Sequence, residues 1–184
     1  MQTRATRQTG VTLIELMATL GIVAILGAIA IPSFASLQRS TARTTAINDF
    51  VHSIFFARSE AITRNAVVSI CRSNDGAVCA NKDSNWNGGW IVFENIDHDV
   101  PADIDPGEPI LMRHDALSGG TLISNRASFS FRPVNQGDVN GTLVYCPTAA
   151  LGKGASSESR AIIISHTGRP RTSNRDASGK PLKC

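Results

Sequence analysis

The sequence predicts an α+β protein, in which one long N-terminal α-helix, first transmembrane and then amphipathic, packs under a β-rich, antiparallel head. Three patterns in the 184 residues lead to this fold class. An apolar run begins near the N-terminus, helical spacing of apolar residues follows it, and short β-rich segments separated by turn residues occupy the remainder. A chain of this length is expected to hold one head.

The apolar run extends from Val11 to Ile31 and is interrupted only by two threonines and Glu15. At a rise of 1.5 Å per residue, about 21 helical residues match the ~30 Å hydrocarbon core of a bilayer. Residues 11–32 are therefore predicted to form a transmembrane helix.

Residues 1–10, before this run, are polar and basic and end on Gly10. An ordinary secretory signal has its small-residue cleavage site after the apolar stretch, whereas this glycine precedes it. Cleavage after Gly10 would remove residues 1–10 as a leader, make Val11 the new N-terminus and keep the apolar helix. We therefore expect the helix to have a use after export.

Glu15 places a carboxylate near the start of the apolar helix. Such a group costs about 2.5–3.5 kcal/mol on insertion scales, so an acid at this depth is a functional candidate. The α-amino group of Val11, created by cleavage, would be its cationic partner, within one helix or between staggered neighbours. The alternative is that Glu15 extends to the edge of the bilayer without a partner.

Residues 33–65 continue the helix in amphipathic form. Ile47, Phe50, Ile54 and Ala61 recur at helical spacing with charged residues between them. This face is expected to pack on a sheet.

Residues 66–184 are expected to form the head with its basic C-terminal tail. Antiparallel pairing is favoured because no helical periods separate the short strand-like segments. Asn87-Gly88 and Asn140-Gly141 are typical turn dipeptides. The predicted strands are Ala66–Arg72, Gly89–Glu94, Pro109–Arg113, Thr121–Asn125, Ser128–Arg132, Thr142–Cys146 and Arg160–Ser165.

The four cysteines predict two disulfides, since an even number in a small exported domain is typical of cross-links. Cys71 with Cys79 would close a short polar loop, which leaves Cys146 to tether Cys184 at the last residue. A zinc site is the alternative, but no CxxC pair accompanies these cysteines.

Charge is distributed unevenly, because residues 72–138 hold ten acidic and five basic side chains, whereas residues 151–184 hold seven basic and two acidic ones. The tail is therefore a candidate anion-binding surface, or else a solubilising segment. Its basic residues are Lys153, Arg160, Arg169, Arg171, Arg175, Lys180 and Lys183.

Two arginines flank a proline just after the last predicted strand. Alternation in extended backbone places Arg169 and Arg171 on the same side, and Pro170 fixes φ between them. Such a pair fits two phosphates, with Gly168 leaving space for their approach and Thr172, Ser173 and Arg175 as further contacts. The alternative is that this motif closes a strand and helps to pack neighbouring subunits.

Catalytic and metal chemistry find little support in the sequence. His52, His98, His114 and His166 have no partners at a recognisable triad spacing, and no phosphate-binding glycine loop is present. The acidic stretch 97–108 does not match an EF-hand and is interpreted as a solvated loop, with calcium binding as a minor alternative. We expect no enzyme activity, no cofactor and no metal.

The segment Gly10-Val11-Thr12-Leu13-Ile14-Glu15, followed by an apolar helix, resembles the class III signal of type IV pilins, minor pilins and type II secretion pseudopilins. The resemblance implies that a prepilin peptidase cuts after Gly10, that Val11 is N-methylated and that Glu15 guides docking in a filament. Pro32 stands where many members have a helix kink, and Val11 replaces the usual phenylalanine.

The head is similar to the FimT and GspH branch of these proteins. The resemblance lies in Ala57-Arg58-Ser59-Glu60-Ala61, Arg64, Val67, Val68, Cys71 and Trp90-Ile91-Val92-Phe93. Gly168-Arg169-Pro170-Arg171 resembles the GRxR motif through which FimT-type minor pilins bind DNA in natural transformation.

These resemblances imply a minor pilin that binds extracellular DNA non-specifically through a GRxR loop for DNA uptake. The implied partners are other pilins, the prepilin peptidase and DNA. Before assembly the chain would cross the inner membrane once, with its head in the periplasm, and then it would enter an extracellular pilus. The alternative is a structural minor pilin or GspH-like pseudopilin that primes or caps a filament without binding DNA. The expected DNA-binding residues are Lys153, Gly168, Arg169, Pro170, Arg171, Thr172, Arg175, Lys180 and Lys183.

Overall fold

The computed structural model describes residues 10–81, 85–134, 139–152 and 157–184. The chain divides into two compact units, Met1–Gln38 and Arg39–Cys184, and we call the second unit the head. Within the described residues, helix α1 (Leu13–Arg64) precedes a series of strands and a 3₁₀ turn at Thr148–Ala150. The strands are β1 (Val68–Arg72), β2 (Trp90–Glu94), β3 (Ile110–His114), β4 (Gly120–Ser124), β5 (Ser128–Phe131), β6 (Gly141–Pro147), β7 (Arg160–Ile164) and β8 (Pro170–Ser173).

The N-terminal unit contains the apolar part of α1. Its large apolar side chains are exposed, from Leu13 at 80% to Ile31 at 72%. A window of this helix has a mean hydropathy of 2.3 and no buried residue. The helix is therefore long and apolar enough to cross a membrane, and its apolar surface is not covered by the protein itself.

Within the head, α1 buries one face. The buried positions recur every three or four residues, as expected for an amphipathic helix on a core. The helix ends after Arg64, where Asn65 adopts a φ of 51° and the amide of Ala66 donates to the carbonyl of Ala61 at 3.2 Å. Asparagine tolerates this left-handed position and so terminates the helix. The buried residues are Ala46, Ile47, Phe50, Ile54, Ala57 and Ala61.

The described strands form two antiparallel sheets. Sheet A has the order β3-β2-β1-β5, and sheet B has the order β4-β6-β7-β8. Strands β5 and β8 are therefore terminal strands of their sheets. One face of each sheet joins α1 in the main core, where Phe50 contacts Trp86 and Trp90 edge-on.

Each sheet also has an outer face with a smaller apolar cluster. On sheet A, Ile91 and Phe93 are covered by Ala102 and Ile104 of the 97–108 loop. On sheet B, residues of β7 are covered by Leu182 of the C-terminal tail. The two surface segments therefore pack onto the sheets rather than extending into solvent.

Two disulfides cross-link the head, and they join the pairs expected from the sequence. Cys71 is bonded to Cys79, and Cys146 is bonded to Cys184. The second bond closes a loop with a sequence separation of 38 and fixes the last residue of the chain next to β6. The described residues contain no free cysteine, so no thiol remains for the alternative zinc site.

The seven predicted strands are all present, with ends shifted by at most two residues. One local expectation was wrong, and one strand was not predicted. Asn140-Gly141 does not form a turn, because Gly141 begins β6 and pairs with Ile164. Strand β8 was not predicted, since its polar residues and initial proline give no strand pattern.

Candidate functional sites

The connection between β7 and β8 is a tight hairpin turn. The amide of Gly168 donates to the carbonyl of Ser165 at 2.9 Å, and the amide of Ser165 donates to the carbonyl of Arg169 at 3.1 Å. Gly168 has a φ of 70°, which glycine adopts without steric cost. This is a three-residue hairpin loop with glycine at the bulge position, so it fixes the backbone on both sides.

Arg169 and Arg171 follow this turn on one face of sheet B. Arg171 pairs with Ile163, so both belong to the outer face of the sheet. Arg169 lies two residues earlier and therefore shares that face, with the two Cα atoms about 6.7 Å apart. Both arginines are exposed, and neither guanidinium has a partner within the described part of the chain. The arrangement presents two guanidinium groups side by side to solvent.

The predicted GRxR loop is corrected by this geometry. Only Gly168 belongs to the turn, whereas Pro170 is the first residue of β8 and pairs with Ile164. Proline is tolerated as the first residue of a terminal strand because no ladder partner needs its missing N–H. The arginine pair is therefore held by sheet pairing in addition to the proline ring.

Two other expected contacts do not join the pair. Thr172 pairs with Ile162, whose side chain belongs to the main core, so Thr172 lies on the opposite face of β8 from the arginines. The guanidinium of Arg175 donates to the carbonyl of Gly179 at 2.9 Å. Arg175 is therefore engaged in the tail.

The C-terminal tail is a folded hairpin. The Asp176 carboxylate accepts hydrogen bonds from the amides of Ser178 and Lys180, both at 2.8 Å. Leu182 is buried on the outer face of sheet B, and the disulfide of Cys184 ends the segment. A basic tail tethered through Cys184 was predicted from the sequence, but its hairpin was not, although an Asp-x-x-Gly turn and one apolar residue were visible in it.

Two of the three expected lysines lie within the described residues. Lys180 and Lys183 are exposed on the tail. Lys153 lies outside the described residues. Of the predicted DNA-binding cations, the structure thus brings Arg169 and Arg171 together.

The N-terminal segment has the geometry of a helix cap. The amide of Glu15 donates to the Oγ1 atom of Thr12 at 3.3 Å, and the amide of Leu16 donates to the Thr12 carbonyl at 3.1 Å. Thr12 and Glu15 have the spacing of a capping box, which sequence reasoning missed. Glu15 also lies at the positive end of the helix dipole, where a carboxylate is favourable. Gly10, just before this cap, is exposed, and a Cβ added to it would meet nothing within 4 Å among the described residues.

Two protein-family matches cover the N-terminal segment and most of the head. Residues 5–31 match the prokaryotic N-terminal methylation motif. Residues 46–168 match the family described as type II transport protein GspH. The chain belongs to the GspH family. Its methylation motif and pilin-like fold agree with this group of minor pilins and GspH-like pseudopilins, subunits that assemble with other pilins.

A related sequence and a solved structure are similar to the chain. The pilin-like protein PilA1 of Thermus thermophilus is 28% identical over 170 residues, which cover 88% of this chain and 96% of PilA1. The crystal structure of the type IV minor pilin FimU of Pseudomonas aeruginosa has a TM-score of 0.52 at 21% identity, covering 77% of this chain and 98% of FimU. A second crystal form of FimU gives a TM-score of 0.51. The likeness to FimU shows a shared fold.

In this GspH-family protein the acidic 97–108 loop is held by hydrogen bonds to its own backbone. The buried Glu108 accepts from the amides of Ile96 and Asp105 at 2.6 and 3.0 Å, and Asp99 accepts from the amide of Asp103 at 2.9 Å. Burial raises the pKa of Asp99. Among the described residues, no group of acidic, histidine or cysteine side chains could hold a metal ion. The carboxylates therefore organise the loop.

His114 has a structural position in the GspH-family head. Its ring stacks on Trp90 with centroids 3.8 Å apart, and its Nε2 atom lies 3.2 Å from Oδ2 of Asp49 on α1. Its Nδ1 atom lies 2.8 Å from the carbonyl oxygen of Asp115. Both ring nitrogens are therefore engaged within the head.

Proposed function

We propose that this minor pilin binds extracellular DNA without sequence preference and serves DNA uptake in natural transformation. Arg169 and Arg171 are the principal contacts. The observation that carries the proposal is the side-by-side exposure of their guanidinium groups on a strand fixed by the Gly168 turn. The match to the GspH family ends at Gly168. The DNA-binding proposal therefore depends on Arg169 and Arg171 and not on family membership.

Phosphate recognition suits this arrangement. Arginine presents a planar fork of donors that matches a phosphate, and a guanidinium without a protein partner loses no ion pair when it binds one. Because the Cα atoms of Arg169 and Arg171 are about 6.7 Å apart, the two guanidinium groups can contact different phosphates. The chain contains no Phe, Trp or Tyr after Tyr145, which is buried. Base stacking therefore contributes little, and binding is expected to be independent of sequence.

Assembly precedes this function in the proposal. A prepilin peptidase cuts after Gly10, and the new amine of Val11 and the Glu15 carboxylate guide docking into the filament. The apolar helix first holds the subunit in the inner membrane with its head in the periplasm, and the assembled pilus then carries the head outside the cell.

A structural role is the second candidate. Strand β8 is the terminal strand of sheet B, and its backbone edge and exposed arginines also suit contact with a neighbouring subunit. In that case the arginines would be required for filament assembly, and the head would not bind DNA.

DNA titration separates the two roles. The mature chain in nonionic detergent micelles is titrated against labelled duplexes of two unrelated sequences at several salt concentrations. We expect equal affinity for both duplexes, and Arg169→Ala/Arg171→Ala should reduce the magnitude of the log–log salt slope by about 1.8 because two phosphate contacts are lost. Arg169→Lys/Arg171→Lys should restore part of the affinity, since lysine keeps the charge without the fork.

The matched control is Arg113→Ala, which removes an exposed arginine from β3 of sheet A. It should bind like the parent. Absence of binding by the folded parent at low salt, together with a filament defect in the Arg169/Arg171 variant, would favour the structural role.

A further inference from the structure

A second pair of arginines, Arg126 and Arg132, lines a groove beside β5, one of the two terminal strands of sheet A. The groove has a volume of about 390 Å³. The groove runs along β5 and extends beyond both ends of the strand. Side chains at every second position of this stretch point to the same face of sheet A and line the groove. The lining residues are Val100, Pro101, Arg126, Ala127, Ser128, Ser130 and Arg132.

The arginines supply the positive charge of this groove. The Ser128 hydroxyl accepts from the amide of Ala102 at 2.8 Å, and the Ser130 hydroxyl is 2.8 Å from that of Ser69, so both serines are engaged. Arg132 is exposed and has no partner within the described residues. The groove therefore contains two hydrogen-bonded serines and, within the described residues, an arginine without an ion-pair partner.

Arg126 connects this groove to the end of sheet B. Its guanidinium donates to Oδ1 of Asn140, a neutral group, at 3.0 Å, and no carboxylate in the described part of the chain forms an ion pair with it. Asn140 directly precedes Gly141, which pairs with Ile164 of β7. Arg126 thus lies at the end of sheet B where β6 begins and β7 terminates.

The hairpin arginines lie at this same end. Ile164 of β7 pairs with Gly141 of β6 on one side and with Pro170 of β8 on the other. Asn140 and Arg169 each lie one residue before these partners, so they are at the same end of sheet B, on strands separated by β7. Two strand spacings amount to about 10 Å. Measured along the axis of a duplex, that distance spans about three phosphates of one strand at a rise of about 3.4 Å each.

We infer that Arg126 and Arg132 form a second phosphate-binding site, and that one DNA molecule contacts it together with Arg169 and Arg171. This inference rests on the proposed function and extends its contact surface from the β7–β8 hairpin across the end of sheet B into the groove. Asp97 and Asp103 are exposed on the loop that carries Val100 and Pro101, and their charges disfavour phosphate contact with that loop.

The test compares Arg126→Gln/Arg132→Gln with the parent and with Arg113→Gln, each as the mature chain in nonionic detergent micelles. The probe is a labelled DNA duplex, and affinity is measured by fluorescence anisotropy across a salt series. We expect the groove variant to bind at least about tenfold more weakly at low salt. Its salt slope should fall in magnitude by about 1.8. Arg113→Gln should leave both quantities unchanged, and circular dichroism should show that all three proteins are folded at the assay temperature.

The outcomes separate this site from the hairpin. If the groove variant binds like the parent while Arg169→Ala/Arg171→Ala loses affinity, the second site is wrong and the proposed function stands. If only the groove variant loses affinity, the groove binds DNA without the hairpin, and both the hairpin assignment and the shared contact surface are wrong. Failure of the parent to bind DNA overturns both. Parental DNA binding with loss of the groove variant from filaments would identify the groove as a subunit contact and overturn the inference.

Discussion

Removal of the Cys146–Cys184 disulfide should destabilise the head more than removal of the other bond. In the chain-entropy description, a loop with a sequence separation of 38 contributes about 3.9 kcal/mol to the free energy of unfolding. A separation of 8, as in Cys71–Cys79, contributes about 2.5 kcal/mol. We therefore expect Cys146→Ala/Cys184→Ala to lower the free energy of unfolding by about 1.4 kcal/mol more than Cys71→Ala/Cys79→Ala.

The difference should be larger if the tail also detaches. Leu182 is 4% exposed and packs on Ala161 and Ile163, and its full release would cost a further ~1.5–3 kcal/mol. Urea unfolding of both variants and the parent measures these free energies under one set of conditions. Equal destabilisation, or a greater loss from the shorter loop, would refute the entropy argument. Free thiols or crossed pairs in a non-reducing peptide map of the parent would refute the pairing.

Three further predictions concern processing, assembly and acid stability. Replacement of Gly10 with a bulky residue should leave uncut precursor in the membrane, and an intact mass of the native mature protein that begins after Ser33 would contradict cleavage at Gly10. Glu15→Ala and Glu15→Gln should both be cleaved, and both should be depleted from filaments if the charge of Glu15 guides docking. Glutamine can still form the capping box with Thr12. Normal assembly of Glu15→Gln alone would therefore assign the defect of Glu15→Ala to the helix cap. Hydrogen bonds from the amides of Ala77 and Val78 lower the pKa of Asp75 in the folded state. Its contribution to stability is therefore complete above the unfolded pKa and lost as pH falls through the lower folded pKa, and Asp75→Ala should weaken the pH dependence of urea unfolding in that acidic range.

Most of the fold follows from local patterns in the sequence. The helical spacing of Phe50 and Ile54 and the β-branched runs of the seven predicted strands act within a few residues, so the sequence alone identifies them. Strand β8 differs because its four residues, beginning with Pro170, have no apolar alternation. It exists through pairing with β7, which is a non-local interaction, and the Gly168 turn is what brings the two strands together.

The candidate site was predictable in part for the same reason. Alternation along the backbone suffices to place Arg169 and Arg171 on one side. The occupation of Arg175 by the Gly179 carbonyl depends on how the tail folds back, and the capture of Glu108 by backbone amides depends on the shape of its loop. Residue type suggests what a side chain can bind, but tertiary structure decides what it has already bound.

The position of β8 at the end of sheet B also affects how the head behaves at high concentration. A terminal strand exposes backbone groups that can recruit another chain edge to edge, and proteins limit this with proline and with charged side chains. Pro170 removes one backbone donor from the strand, and Arg169 and Arg171 place like charges where a second copy would have to align. The residues proposed to hold DNA therefore also act as gatekeepers against aggregation, and aliphatic substitutions there should make the head prone to form β-linked oligomers.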